Sequence, residues 1–212
     1  MADKNFIKRR YFLQVVKNNK SIATWKQPSP LECIVLCSSL VSCASTPNKE
    51  VSGESPYSLV WSDEFEGETL DSSKWEAQVQ ADNWNNELQY YTDRGENVSV
   101  EDGLLFLRAR EEEYTGNQGT REYTSAQIRT KYLCDWTYGQ FEIKAKLPNG
   151  AGLWPAIWML PSQEEYGSWP SSGEIDIMEN LGDISKTVYG TLHYADDAAN
   201  AVQIGAEYTL LE

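Results

Sequence analysis

Apolar and polar residues alternate in short runs along most of the chain from residue 57 onward. Phe141, Ile143, Ala145 and Leu147 interleave with Glu142, Lys144 and Lys146. That period of two buries one face of a strand and wets the other, and it predicts a strand over 138–147. Further strands are predicted at 57–61, 97–100, 104–110 and 125–132. Glu101-Asp102-Gly103 joins the second and third of these as a hairpin signal. The charged, glycine-containing stretch 111–122 reads as a solvent loop. Beyond Tyr194 the pattern predicts a loop over 195–206 with a weak strand at 201–204, then a last strand from Glu207 that is cut short. No segment of any length has a helical period, so the expected fold class is all-β, a sandwich.

One run breaks strict alternation. Residues 171–182 read Ser-Ser-Gly-Glu-Ile-Asp-Ile-Met-Glu-Asn-Leu-Gly and place Glu174, Asp176 and Glu179 within six residues. Glu174 and Asp176 share a strand face, with Ile175 and Ile177 on the other. Glu179 is five residues from Glu174, so an unbroken strand would aim an ionised carboxylate inward, which is costly. One extra residue at Ile177–Met178, a β-bulge, returns it to the Glu174 face. Three crowded acids repel one another, and proximity to Glu174 and Asp176 is expected to raise the pKa of Glu179. Two carboxylates in opposed protonation states suit glycosidic bond cleavage. The spacing alone is equally compatible with an exposed acidic strand.

Composition narrows the partners. The 212 residues carry a formal charge of −14. Residues 1–43 hold seven Lys/Arg against two Asp/Glu, a net of +5 that leaves −19 on the rest. An acidic body repels phosphates and argues against nucleic acid, whereas a neutral polymer is tolerated. The 8 Trp and 12 Tyr supply flat faces for carbohydrate or for the core. Cys33-Ile34-Val35-Leu36-Cys37-Ser38-Ser39-Leu40-Val41-Ser42-Cys43 follows the basic start and fits a signal h-region, being too short to span a bilayer. Residues 1–43 are therefore assigned to a signal or lipoprotein-like leader, 44–55 to a polar linker and 56–212 to the main domain. Cys33 and Cys37 would leave with the leader. Cys134 then remains alone in the body, so no internal disulfide is expected.

The surroundings of the acid triplet carry a resemblance. Gly152-Leu153-Trp154-Pro155-Ala156-Ile157-Trp158-Met159-Leu160-Pro161 and Tyr166-Gly167-Ser168-Trp169-Pro170 precede it, and Val188-Tyr189-Gly190-Thr191-Leu192-His193-Tyr194 follows. With the six-residue Glu-Ile-Asp-Ile-Met-Glu strand, and with the Trp-Ser-Asp-Glu-Phe opening at 61–65, this resembles the laminarinase-type members of glycoside hydrolase family 16, which cleave β-1,3-glucans. The resemblance covers roughly 57–212. It implies a jelly roll with a substrate cleft across one concave sheet. It also implies Glu174 as nucleophile, Glu179 as acid/base and Asp176 as assistant, the chemistry of a retaining endo-hydrolase.

Asn86, in Asn-Asn-Glu-Leu-Gln-Tyr-Tyr-Thr, matches a sugar-contacting Asn of the family, although such an Asn also serves a turn. Trp154 and Trp158 are four apart and share a strand face, so cleft and core are both open to them. The resemblance favours the cleft for both and for Trp169. His193, the one His in the chain, is expected to support the acid cluster or a sugar. Gln127 stands where the family usually has Arg, which puts one sugar contact in doubt.

No metal or organic cofactor is required by this chemistry. A structural calcium is expected only in a complete domain, because members normally continue for several more strands; residues 56–212 read as C-terminally truncated. Leu40-Val41-Ser42-Cys43 resembles a bacterial lipoprotein box, which implies export, either as a cell-envelope lipoprotein with membrane attachment through a lipidated Cys43 or, with an ordinary secretory leader, as a secreted protein. The expected partner is a β-glucan, met by a monomer. Rival substrates on the same fold are mixed-linkage β-glucan and algal galactan. A carbohydrate-binding form without catalysis and an inactive truncated product are the remaining alternatives.

Overall fold

The computed structural model describes residues 11–16, 21–28, 57–81, 84–184 and 186–210, the first two stretches by their backbone. The strands are β1 (Tyr11–Val16), β2 (Ser21–Pro28), β3 (Tyr57–Asp63), β4 (Glu76–Ala77), β5 (Gln89–Tyr91), β6 (Val98–Glu101) and β7 (Leu104–Leu107). They continue as β8 (Arg110–Gly116), β9 (Gly119–Ser125), β10 (Ile128–Arg129), β11 (Gln140–Ala145), β12 (Ala156–Pro161), β13 (Glu174–Asn180), β14 (Thr187–Ala195) and β15 (Ala201–Thr209). Two 3-10 turns, Trp84–Asn86 and Gly182–Ile184, are the only helical pieces among the described residues. The all-β expectation holds, in a β-sandwich of jelly-roll type.

The main sheet runs β15-β14-β13-β12-β1-β10-β4, and a second sheet runs β11-β2-β3. Between them lies a core of Phe65, Trp75, Val98, Leu105, Leu107, Ile128, Trp136, Ile157 and Met159, all buried. Alternation accounts for the split. Ile157 and Met159 of β12 face the core at 2% and 4% exposure, and Trp158 between them takes the opposite face. Trp61 touches both Trp75 and Trp136 edge-on, with ring centroids 5.4 Å apart in each pair. Three of the tryptophans are thus structural. The buried Asp63 accepts the Trp75 indole N–H at 2.8 Å and the Phe65 amide at 3.0 Å, so its charge is met by donors.

Several sequence expectations change. The presumed loop at 111–122 is instead a hairpin, β8 against β9. One of its charges is partnered across the fold: Glu112 pairs with Arg94 and accepts the Thr124 hydroxyl at 2.5 Å. The strand expected at 125–132 shrinks to Ile128–Arg129. The weak strand at 201–204 extends over Ala201–Thr209 and pairs with β14 along its whole length. The hairpin at 101–103 forms as predicted, with Asp102 and Gly103 both at positive φ.

The basic N-terminal region contributes strands. β1 lies between β12 and β10, and β2 lies between β3 and β11. Tyr11-Phe12-Leu13-Gln14-Val15-Val16 and Ser21-Ile22-Ala23-Thr24-Trp25 are rich in aromatic and β-branched residues, which favour extended backbone. Both stretches fall within the 1–43 leader of the sequence reading. The apolar run 33–43, with Cys43, and the linker 44–55 lie outside the described residues.

Candidate active site

β13 carries the three acids, and its register shows how. Ile157 of β12 pairs with Met178, and Trp158 pairs with Asp176, so Ile177 is passed over. On the other side Asp176 pairs with Thr191 and Glu179 with Tyr189, leaving Ile177 and Met178 opposite Gly190 alone. This is the predicted bulge. It places Glu174, Asp176 and Glu179 on one face, while Ile175, Ile177 and Met178 pack on the core.

Each acid has its own donor. Trp169 Nε1–H donates to Glu174 Oε2 at 2.5 Å, and Trp154 Nε1–H donates to Glu179 Oε1 at 3.0 Å. His193 Nε2 is 2.8 Å from Asp176 Oδ2, because Glu174 pairs with His193 across β13 and β14. The Trp169 and His193 rings are 5.9 Å apart. Trp158 stands beside Asp176 by register. The site residues Trp154, Trp158, Trp169 and His193 are therefore gathered around the acids. Asn86 lies in the exposed 3-10 turn with φ 59, next to Asn85 at φ 58; left-handed backbone of this kind suits its turn role. Gln127, the departure from the family pattern, is buried and accepts from Gln80 at 3.0 Å.

Two structures aim the tryptophans. The segment around Trp154 is stitched to the end of β13 by bonds between Gly150 N and Gly182 O, at 2.9 Å, and between Gly182 N and Leu153 O, at 2.8 Å. A side chain at Gly182 would meet the Gly150 carbonyl at 2.2 Å, so only glycine permits this approach. Trp169 rides on the loop before β13, whose buried Ser172 hydroxyl donates to Gly167 O at 2.7 Å and accepts Tyr166 N–H at 3.1 Å. Sequence reasoning missed Gly182 and Ser172, since neither carries a pattern of its own. It also passed over Tyr189 and Thr191, which counting back in twos from His193 would have placed on the same face.

Burial and repulsion set the protonation. Asp176 is 6% exposed, and its carboxyl is pushed up to about 8, first by burial and then by the charges of Glu174 and Glu179. A carboxyl raised this far keeps its proton at neutral pH. Glu179 is raised as well, though burial is the first cause; the Trp154 N–H and His193 oppose it, and Glu174 adds least. The crowding expected to act on Glu179 acts chiefly on Asp176.

This strain has a measurable sign. A carboxyl raised on folding contributes fully below its unfolded pKa of about 3.9 and loses that contribution as pH rises toward the folded value. Asp176→Asn keeps an acceptor for His193 and removes the charge. We expect it to gain roughly 1–3 kcal/mol over the parent at pH 7, with the gap closing near pH 4. Urea unfolding at the two pH values measures it. An equal difference at both would show that the acid cluster stores no such cost.

Among the described residues no three His, Cys, Asp or Glu side chains are grouped to hold a metal ion.

Residues 70–209 match glycosyl hydrolases family 16. The chain belongs to that family. A β-glucanase of Rhodothermus marinus is 48% identical over 163 residues, which are 74% of this chain and 56% of that protein. A glucan endo-1,3-beta-glucosidase of Cryptopygus antarcticus is 45% identical over 150 residues, 69% of this chain and 54% of its own length. The solved laminarinase of Rhodothermus marinus aligns with a TM-score of 0.65 at 47% identity, covering 71% of this chain and 61% of that one. The family 16 chain spans about half the length of these curated relatives.

Proposed function

We propose that this family 16 chain is a retaining endo-β-1,3-glucanase acting on laminarin-like glucans. The observation that supports it most is the bulge in β13, which turns Glu174 and Glu179 to one face beside three tryptophans. The names of the relatives support the substrate class.

In the first step a carboxylate oxygen of Glu174 attacks the anomeric carbon. The bond to the leaving oxygen breaks as Glu179 protonates it. Burial raises Glu179, which favours the protonated form that an acid needs. Asp176, itself protonated, spares Glu174 a second negative charge close by. In the second step Glu179 takes a proton from water, which opens the glycosyl ester and restores Glu174. The configuration is inverted twice and thus retained.

The expected result is release of oligosaccharides from laminarin with the anomer of the first product unchanged, followed by proton NMR. An α-configured first product would overturn retention. Activity on agarose or carrageenan with none on laminarin would overturn the substrate class and favour a galactan. Binding of laminarin without hydrolysis would favour a purely carbohydrate-binding role.

A further inference from the structure

We propose that Trp169 and Trp154 are positioning residues whose indole N–H groups select which oxygen of each glutamate reacts. This rests on the assignment of Glu174 as nucleophile and Glu179 as acid/base. Their sequence context suggested sugar contact, and their rings remain 54% and 42% exposed. Their nitrogens, however, are already committed to the carboxylates.

The argument turns on what an indole nitrogen does. It donates one hydrogen bond and accepts none. Glu174 Oε2 and Glu179 Oε1 must therefore both be acceptors at these contacts. The proton of Glu179 is then on Oε2, the oxygen that Trp154 leaves free. Likewise Glu174 Oε1 is the oxygen presented to the anomeric carbon, and Oε2 becomes the carbonyl oxygen of the ester, still bonded to Trp169. During the first step Glu174 Oε1 forms the new bond, the leaving oxygen takes the electron pair of the broken one, and the Glu179 Oε2 proton goes to it. Glu179 is left ionised, and the Trp154 bond strengthens because a charged acceptor binds a donor more tightly.

Both donors are fixed in advance. The Trp169 loop is held by Ser172 and by turn bonds from Gly167 N to Glu164 O, Ser171 N to Ser168 O and Gly173 N to Pro170 O. Trp154 is held by the Gly150–Gly182 stitch. Neither indole needs to reorganise when charge moves. The titratable groups on the same face are Asp176 on β13, His193 and Tyr189 on β14 and Glu207, which pairs with Tyr189 from β15. Changing an indole to a phenyl ring leaves all of them in place.

The test reads one limb of the pH profile for each tryptophan. Trp169→Phe removes a donor that stabilises ionised Glu174, so the acid limb on laminarin moves up by about half to one pH unit. Trp154→Phe removes a donor that stabilises ionised Glu179, so the basic limb moves up by a similar amount. In each, kcat falls roughly tenfold with KM little changed. Replacing either indole by benzothienylalanine, which keeps the shape and deletes the N–H, should give the same shift and covers a phenylalanine variant that fails to fold. Unmoved limbs, or a loss confined to KM, would overturn the proposal in favour of plain sugar stacking. A parent protein inactive on laminarin would instead defeat the glutamate assignment.

Discussion

Replacing Glu174 by Gln removes turnover of every substrate, whatever its leaving group. The amide does not form the glycosyl ester, so kcat should drop by roughly 10⁴-fold or more. Glu179→Ala behaves differently. An aryl β-glucoside oligomer with a good leaving group departs without a proton, and the first step survives while the second stalls for want of a base. On laminarin, which needs the proton, the loss should be about 10²- to 10⁴-fold, the usual contribution of a general acid. Azide should restore turnover of the aryl substrate by Glu179→Ala, giving a β-glycosyl azide. A β-azide product from azide rescue of Glu174→Ala, or an α-azide product from Glu179→Ala, would exchange the two roles. The asymmetry rests on the site itself: protonated Asp176 spares Glu174 a neighbouring charge, whereas burial raises Glu179 in the direction an acid needs.

Removing residues 1–55 should nearly abolish cooperative unfolding. β1 is inside the main sheet and β2 inside the second, so their loss opens both sheets at internal positions rather than at edges. β1 pairs with β12 along Tyr11–Val16, and β2 pairs with β11 along Ser21–Lys26 and with β3 as far as Pro28. At about 1 kcal/mol for each lost ladder bond, the deficit approaches the roughly 5–15 kcal/mol that holds a domain together. The newly bared strand edges would also favour aggregation. Residues 56–212 should therefore melt without a sharp transition, and a synthetic peptide of residues 9–30 should restore one. A cooperative transition and full laminarin hydrolysis by residues 56–212 alone would show these strands to be expendable, as a cleaved leader requires.

These two expectations draw on different kinds of information. The acid triplet was legible because a strand's period is fixed by its backbone. A charge five residues along has one economical route back to its face, and the register contains that bulge at Ile177–Met178. The alternation at 138–147 and the Asp102-Gly103 turn were legible for the same local reason. Residues 111–122 were misread because charge density resembles a loop until its partner is known. Glu112 is satisfied by Arg94 and Thr124, which lie far along the chain.

The protonation order of the acids was beyond the sequence as well. Spacing predicted which carboxylates meet, but burial decided which is raised most, and burial is a property of packed neighbours. The tryptophans show the same division. Their number and position were plain, yet Trp61, Trp75 and Trp136 go to the core by packing on one another, and Trp154 and Trp169 reach two glutamates through loops closed by Gly182 and Ser172. The sequence by itself determined the strand pattern, the face shared by the three acids and the family likeness. Only the tertiary structure decided which atom of which donor meets each acid, because an indole's direction is set by the whole loop that carries it.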